Sequence, residues 1–257
     1  MKEASNNLKI WDSLGKTDPK YTKAANVDGN AQTSISGNYM VKLATESLGP
    51  IGHGWGYRIL EERFDNTRPM MIRNESGLTM LKDGDQIIWE QNHTILIEFW
   101  HSDKSNSFSQ FGHTKYRYMS KDGSKMVVDN EYAKKSLTDA MKKCLSLIGV
   151  CADVFMGEFD DRAYQDAAKL ENDLKRADNR DAEYASKIEL FDAYIADTVK
   201  AIELCPSVEA MQKVYGLAAN KIDREAPILG LNSADAKKPI DTKYFEMVKQ
   251  FSKGKAA

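Results

Sequence analysis

The stretch SLTDAMKKCLSLIGVCADVF, residues 136–155, decides how the centre of this chain folds. Its apolar residues recur at intervals of three and four, which predicts an α-helix with one buried face. That face comprises Leu137, Met141, Cys144, Leu145 and Ile148. Lys142 and Lys143 lie outside it, and we expect both ammonium groups to stand without a carboxylate partner on the helix. The pattern therefore raises the question of which negative group neutralises them.

The sequence before this helix predicts an antiparallel sheet. Ile95, Ile97 and Phe99 alternate with residues of the other face, as in a half-buried strand. Strands are predicted over 52–64, 70–73, 78–81, 86–101 and 108–120, with turns at 82–85 and 121–124. Helices are predicted over 8–14, 39–48 (with Asn38 as N-cap) and about 129–150, and a polar loop over 17–30. The fold class is therefore α+β, an antiparallel β-meander packed on a long helix.

The last predicted strand carries basic and aromatic residues in alternation. Regular alternation places Lys115 and Arg117 on one face and Tyr116 and Tyr118 on the other. Together with the lysines of the long helix, they predict a groove that binds single-stranded nucleic acid, because cations neutralise phosphates while unpaired bases stack on aromatic rings. The alternative is an amphipathic core helix with one solvated side.

Composition limits the class of protein. The chain has 257 residues, 42% hydrophobic and 29% charged, which is typical of a globular protein with one substantial core. No apolar run approaches the roughly 20 residues of a membrane span, and MKEASNNLKI lacks the apolar stretch that is expected of a signal peptide. Three cysteines without a CxxC motif favour a reducing compartment. We expect a cytoplasmic protein with no membrane contact.

Charge is unevenly distributed along the chain. Residues 101–150 carry 9 Lys/Arg against 5 Asp/Glu, a local charge of +4. Residues 151–257 carry 16 against 20, a local charge of −4. A basic centre beside an acidic tail can hold a polyanion, although ordinary solvated surface is the alternative.

The chain is predicted to change character after Phe159. We expect residues 1–161 to form the core and residues 162–257 a helical region that binds a partner or braces an oligomer. One helical stretch is predicted over 161–204, a second starts with Ser207 as its cap, and a third lies near 237–251. Only a thin apolar seam is expected there, formed by Leu170, Leu174, Ile188, Phe191, Ile195, Val199 and Ile202.

No catalytic motif is found. The segment Leu14–Thr17 resembles the end of a phosphate-binding loop but lacks its first glycine and a preceding apolar strand. The four histidines form no HExxH or Cys/His pair, and Asp160 and Asp161 have no third carboxylate at nuclease-like spacing. We therefore predict neither an enzyme nor a bound metal or cofactor.

Three segments resemble a known family. They are SISGNYMVKLATESLG (34–49), GWGY (54–57) and LTDAMKKCLSLIG (137–149), and LGKTDPKYTKAA (14–25) is similar to the family's opening segment. They resemble the single-strand annealing recombination proteins, the superfamily of the eukaryotic mediator Rad fifty-two and the phage ERF-type and Sak-type proteins. The resemblance covers residues 8–161, and the overall character of the sequence is most similar to that of the bacteriophage members. It is carried by Gly37, Leu43, Ala44, Glu46, Gly49, Thr138, Asp139, Lys142, Lys143, Leu145 and Gly149.

The resemblance implies a DNA-binding site. The family's basic pair, which holds the DNA backbone, corresponds to Lys142 and Lys143. Two further basic positions of the family are occupied here by Tyr39 and Ser146. The residues expected to complete the nucleic-acid-binding site are Lys134, Lys135, Lys42, Tyr39, Lys115 and Arg117.

The resemblance also implies a function. Members form homo-oligomeric rings or filaments that bind single-stranded DNA and anneal complementary strands without ATP, in recombination and DNA repair. Phage members act in the host cytoplasm beside the host single-strand binding protein and a phage exonuclease. The alternative for this chain is a structural or scaffolding oligomer without DNA-pairing activity.

Overall fold

The computed structural model describes residues 8–27, 30–75 and 77–254, which form two units. The first unit contains residues 8–16 and 34–155 of the described chain. The second contains residues 17–27, 30–33 and 156–254. The division after Phe155 lies six residues before the predicted boundary at 161, and a short early segment belongs with the helical region.

The secondary structure is mixed, with antiparallel sheets, as predicted. The strands are β1 Thr22–Val27, β2 Asn30–Ile35, β3 Trp55–Pro69, β4 Met71–Asn74, β5 Gly77–Met80, β6 Lys82–Asp83, β7 Gln86–Ile87, β8 Trp89–His101, β9 Asp103–Met119 and β10 Met126–Val128. The helices are α1 Lys9–Leu14, α2 Gly37–Leu48, α3 Tyr132–Leu147, α4 Ala152–Phe155, α5 Arg162–Arg176, α6 Arg180–Glu203, α7 Val208–Ile228 and α8 Ser233–Gly254. Single 3-10 turns lie at Pro19–Tyr21 and Glu158–Asp160.

The main sheet of the first unit has four strands in the order β10-β9-β8-β3, all antiparallel. Between β3 and β8 the chain forms two short hairpins, β4–β5 and β6–β7. Ile95, Ile97 and Phe99 of β8 are buried on the face of the sheet that α3 covers. The predicted meander and its alternation in β8 are therefore confirmed.

The helix α3 packs directly on the sheet because Gly112 of β9 has no side chain. A Cβ atom at Gly112 would lie 2.1 Å from the carbonyl oxygen of Ser136. The Ser136 hydroxyl donates a hydrogen bond to the His93 carbonyl at 3.1 Å, which ties the helix to the next strand. The predicted apolar face of α3 is confirmed: Cys144 and Leu145 are fully buried, and the other three residues pack partly buried against the same core.

Several element boundaries differ from the prediction. The loop expected over 17–30 contains β1, which pairs with β2, and the strand β10 was not predicted. The helix α2 begins at Gly37 with Ser36 at its N-cap, so the predicted cap Asn38 is wrong. The helix α3 is shorter than 129–150, because Gly149 adopts φ +101°, a left-handed conformation that ends helices.

The second unit has a hydrophobic core of its own. The stretch predicted as one helix over 161–204 is two helices, and Asn179 caps the second by accepting a hydrogen bond from the Ala182 amide at 3.2 Å. The expectation of only a thin apolar seam is wrong, since four helices share one buried cluster. That cluster consists of Leu170, Leu174, Phe191, Ile195, Ile202, Met211, Ala218, Ile222, Ala226, Leu229 and Ile240.

None of the helices in the described ranges has the length and hydropathy that a membrane span requires.

Candidate nucleic-acid interface

The basic residues of α3 form two rows, because side chains four positions apart lie one above the other on a helix. Lys134, Thr138 and Lys142 form the first row. A Cβ atom at Gly37, the first residue of α2, would lie 2.8 Å from Thr138 Cγ2 and 3.7 Å from Lys142 Cδ. The first row therefore meets the start of α2.

The second row, Lys135, Asp139 and Lys143, lies at the edge of the sheet. The Lys143 ammonium forms an ion pair with Asp139 at 2.7 Å and donates a hydrogen bond to the Phe111 carbonyl at 3.2 Å. Asp139 also accepts a hydrogen bond from the His113 amide at 3.1 Å. The expectation that neither lysine has a carboxylate partner is wrong for Lys143, since Asp139 stands four residues before it.

These interactions satisfy backbone groups along the outer edge of β9. Strand β10 pairs with residues 117–119, and the Asp129 amide donates to the Tyr116 carbonyl at 2.8 Å. Farther along the same strand, Asp139 accepts from the His113 amide and Lys143 donates to the Phe111 carbonyl. An unprotected strand edge invites pairing with another chain. Lys143 therefore has a structural role at this edge.

Lys142 differs from Lys143 in having no ion pair with any carboxylate in the described part of the chain. Its aliphatic stem is half-buried against Gly37, and burial lowers the pKa of its ammonium group below the usual lysine value. The nearby charge of Asp139 offsets part of this effect, and a bound anion would offset more of the cost of burying the charge. Lys142 is therefore the α3 lysine of the predicted site whose position most favours a bound anion.

The other helix lysines of the predicted site are exposed and paired with carboxylates. Lys134 contacts Glu131 at 2.8 Å, Lys135 contacts Asp129 at 2.5 Å, and Lys42 contacts Glu46 at 3.5 Å. Hydrogen bonds from Lys134 and Lys135 lower the pKa of Glu131 and Asp129, respectively. Exposed pairs of this kind contribute only about 0–1 kcal/mol, so these lysines can exchange a carboxylate for a phosphate.

The two basic residues of β9 do not share a face. Lys115 is opposite Asn92 and Arg117 is opposite Gln91, so Tyr116 is an extra residue, a β-bulge. Consecutive residues of β8 point to opposite faces, and their partners therefore do so as well. The predicted common face for Lys115 and Arg117 is wrong, because regular alternation stops at the bulge. Lys115 is directed away from α3, with its ammonium 5.9 Å from the Tyr118 ring centroid.

The two positions where this sequence departs from the family's basic pattern are occupied by packed side chains. Tyr39 is partly buried against the core of the first unit. The Ser146 hydroxyl donates a hydrogen bond to the Lys143 carbonyl at 2.9 Å. The structure therefore places Lys142 beside the start of α2, with Lys134 two turns away in the same row, and it places Lys143 and Lys115 elsewhere.

Asp161, which was weighed as a catalytic carboxylate, and the buried thiol of Cys144 both have structural environments. Asp161 caps α5 through the Ala163 amide at 2.8 Å and binds Arg224 at 2.8 Å within the second unit. Burial raises the pKa of the Cys144 thiol to about 12, which keeps it protonated. Among the described residues, no three His, Cys, Asp or Glu side chains are grouped as metal ligands.

No family model matches the chain, and no curated protein matches it.

Proposed function

We propose that this protein binds single-stranded DNA and anneals complementary strands without ATP, as an oligomer in recombination of the bacteriophage type. The observation that carries the proposal is the contact between α2 and α3. The two longest segments that resemble the annealing proteins meet where Gly37 lies against Thr138 and Lys142. The one α3 lysine of the predicted site without an ion pair in the described residues is at this contact.

The arrangement is suited to binding phosphates independently of the base sequence. Lys142 supplies a cation that forms no ion pair in the described residues, although the charge of Asp139 acts on it, and Lys134 lies two turns away in the same row. Contacts to phosphates position a strand without reading its bases, so any sequence is accepted. Pairing and stacking of the two strands provide the free energy of annealing, and no nucleotide has to be hydrolysed. In a ring or filament, each subunit makes the same phosphate contacts along one strand.

A scaffolding oligomer without DNA binding is the second candidate. The observation in its favour is that Lys143, Lys134, Lys135 and Lys42 already have carboxylate partners within the chain. In that case Lys142 is a surface lysine that covers Gly37, and polyanions have no affinity for this side of the first unit.

A salt titration separates the two candidates. We expect the protein to bind a fluorescent oligonucleotide in EDTA without nucleotide, with affinity that falls steeply as salt rises. Each phosphate contact contributes about −0.7 to the slope of log affinity against log salt for single strands. A slope close to zero, or binding that requires ATP or magnesium, contradicts the proposal and favours the scaffold.

A further inference from the structure

Four aromatic rings from four elements meet at the N-terminal end of α3. Phe64 lies 4.7 Å from Tyr116 and 5.4 Å from Tyr132 between ring centroids. His93 lies beneath them, 5.2 Å from Phe64 and 4.7 Å from Tyr132, and is completely buried. Phe64 is nevertheless 45% exposed. Nearly half of the Phe64 side chain is therefore accessible to a ligand, although the ring contacts three other rings.

A polar row lies beside this cluster on the same face of the sheet. Asn66, Gln91 and Arg117 are opposite one another on three neighbouring strands. Asn66 follows Phe64 by two residues on β3, and Gln91 precedes His93 by two residues on β8. The Gln91 amide donates a hydrogen bond to Asn66 at 3.0 Å. Arg117 is half-buried, its Nε has no hydrogen-bond partner, and its guanidinium has no ion pair with the described residues.

We infer that Phe64, with Tyr116, Tyr132 and Arg117, forms a stacking site for an unpaired nucleobase, which we call the aromatic patch. This inference rests on the proposed function and identifies where the protein binds a base. Every base has a π-face, so stacking is tolerant of sequence. Stacking occupies the face of the base and leaves its pairing edge free, which annealing requires. The unpaired guanidinium of Arg117 supplies a cation for a neighbouring phosphate.

The aromatic patch and Lys142 are close enough to serve one strand. Tyr132 and Lys142 are ten residues apart on α3, which corresponds to about 15 Å along the helix axis. A stacked strand advances about 3.4 Å per nucleotide, so roughly four nucleotides span this distance. Lys134 and Thr138 lie between the two ends in the same row. One strand can therefore contact Lys142 with a phosphate and the aromatic patch with a base.

The test compares a 30-nucleotide oligothymidylate with an abasic oligonucleotide of the same length, each binding to the full-length protein in EDTA. We expect wild type to prefer the thymidylate by about 5- to 150-fold, the range of one stacked base. Phe64→Leu should bring the two affinities together, whereas Phe64→Trp should keep or increase the preference. Phe111→Leu is the matched control, since Phe111 is 42% exposed and lies on the opposite face of the same sheet.

The outcomes separate this inference from the proposed function. If wild type binds neither oligonucleotide, the proposed function fails and the aromatic patch with it. If wild type binds both with equal affinity, or if Phe64→Leu keeps the preference, phosphate binding stands and the aromatic patch is refuted. Loss of the preference in Phe111→Leu as well as in Phe64→Leu also refutes it, because a site on one face does not depend on the other. Tryptophan fluorescence confirms that each variant is folded.

Discussion

Replacing Gly112 with alanine is expected to destabilise the first unit by about 3 kcal/mol or more. The added Cβ would lie 2.1 Å from the Ser136 carbonyl oxygen and 2.5 Å from the Ala140 nitrogen. Both atoms belong to the backbone of α3, so no side-chain rotation relieves the clash. The whole helix has to move away from the sheet, which separates the two halves of the core.

Tryptophan fluorescence during urea or thermal unfolding measures this effect in the first unit alone. All four tryptophans, Trp11, Trp55, Trp89 and Trp100, belong to that unit. At roughly 3 °C per kcal/mol, the expected decrease in melting temperature is about 10 °C. Gly216→Ala, in the second unit, is the control for adding a methyl group where a Cβ meets nothing within 4 Å, and its unfolding is followed by circular dichroism of the helices, where no loss of stability is expected. A decrease of less than about 2 °C for Gly112→Ala would contradict the description of how α3 packs.

Lys142 and Lys143 are expected to respond in opposite ways to replacement by methionine. Lys142→Met should weaken binding to single-stranded DNA by about 10- to 100-fold, because each subunit loses one charge-assisted hydrogen bond to a phosphate. It should reduce the salt slope by about 0.7 for each phosphate that is no longer neutralised. Its melting temperature should stay the same or increase, because the variant removes an ammonium that is half-buried without an ion pair in the described residues.

Lys143→Met should lower stability and leave affinity largely unchanged. The substitution removes the partner of Asp139 and the donor to the Phe111 carbonyl, which should decrease the free energy of unfolding by about 1–3 kcal/mol. The two variants are adjacent in sequence and identical in chemistry, so each is the control for the other. Fluorescence anisotropy with a labelled oligonucleotide and thermal unfolding give both quantities. Equal loss of affinity in both variants would restore the interpretation of the lysines as one phosphate-binding pair.

The sequence predicted those parts of the fold where periodicity is regular. The apolar face of α3 and the alternation of β8 follow directly from residue spacing, and both are confirmed. The strand β10 was missed because three residues are too few to show an alternation, and β1 because its apolar residues do not alternate regularly with polar ones. The second core was underestimated because its apolar residues are spread over four helices, and each helix shows only part of the set.

The candidate site was less predictable, for two physical reasons. One extra residue at Tyr116 reverses the faces of all residues that follow, and nothing in a single sequence marks a bulge within a polar strand. The role of Lys143 could have been anticipated, since the spacing from Asp139 to Lys143 is that of a helical ion pair. Phe64 and Tyr132 were not predicted as site residues, because they are 68 positions apart in the sequence and come into contact only in the folded chain.

The proposed annealing activity is tested most directly by the rate at which complementary oligonucleotides form duplex in the presence of the protein. The reaction is followed by fluorescence energy transfer between labelled strands, in EDTA and without nucleotide. We expect the wild-type protein to accelerate duplex formation, Lys142→Met to lose most of this acceleration, and Lys143→Met to retain it below its melting temperature. Duplex formation no faster than in buffer alone, or acceleration that appears only with ATP or a divalent metal, would contradict the account.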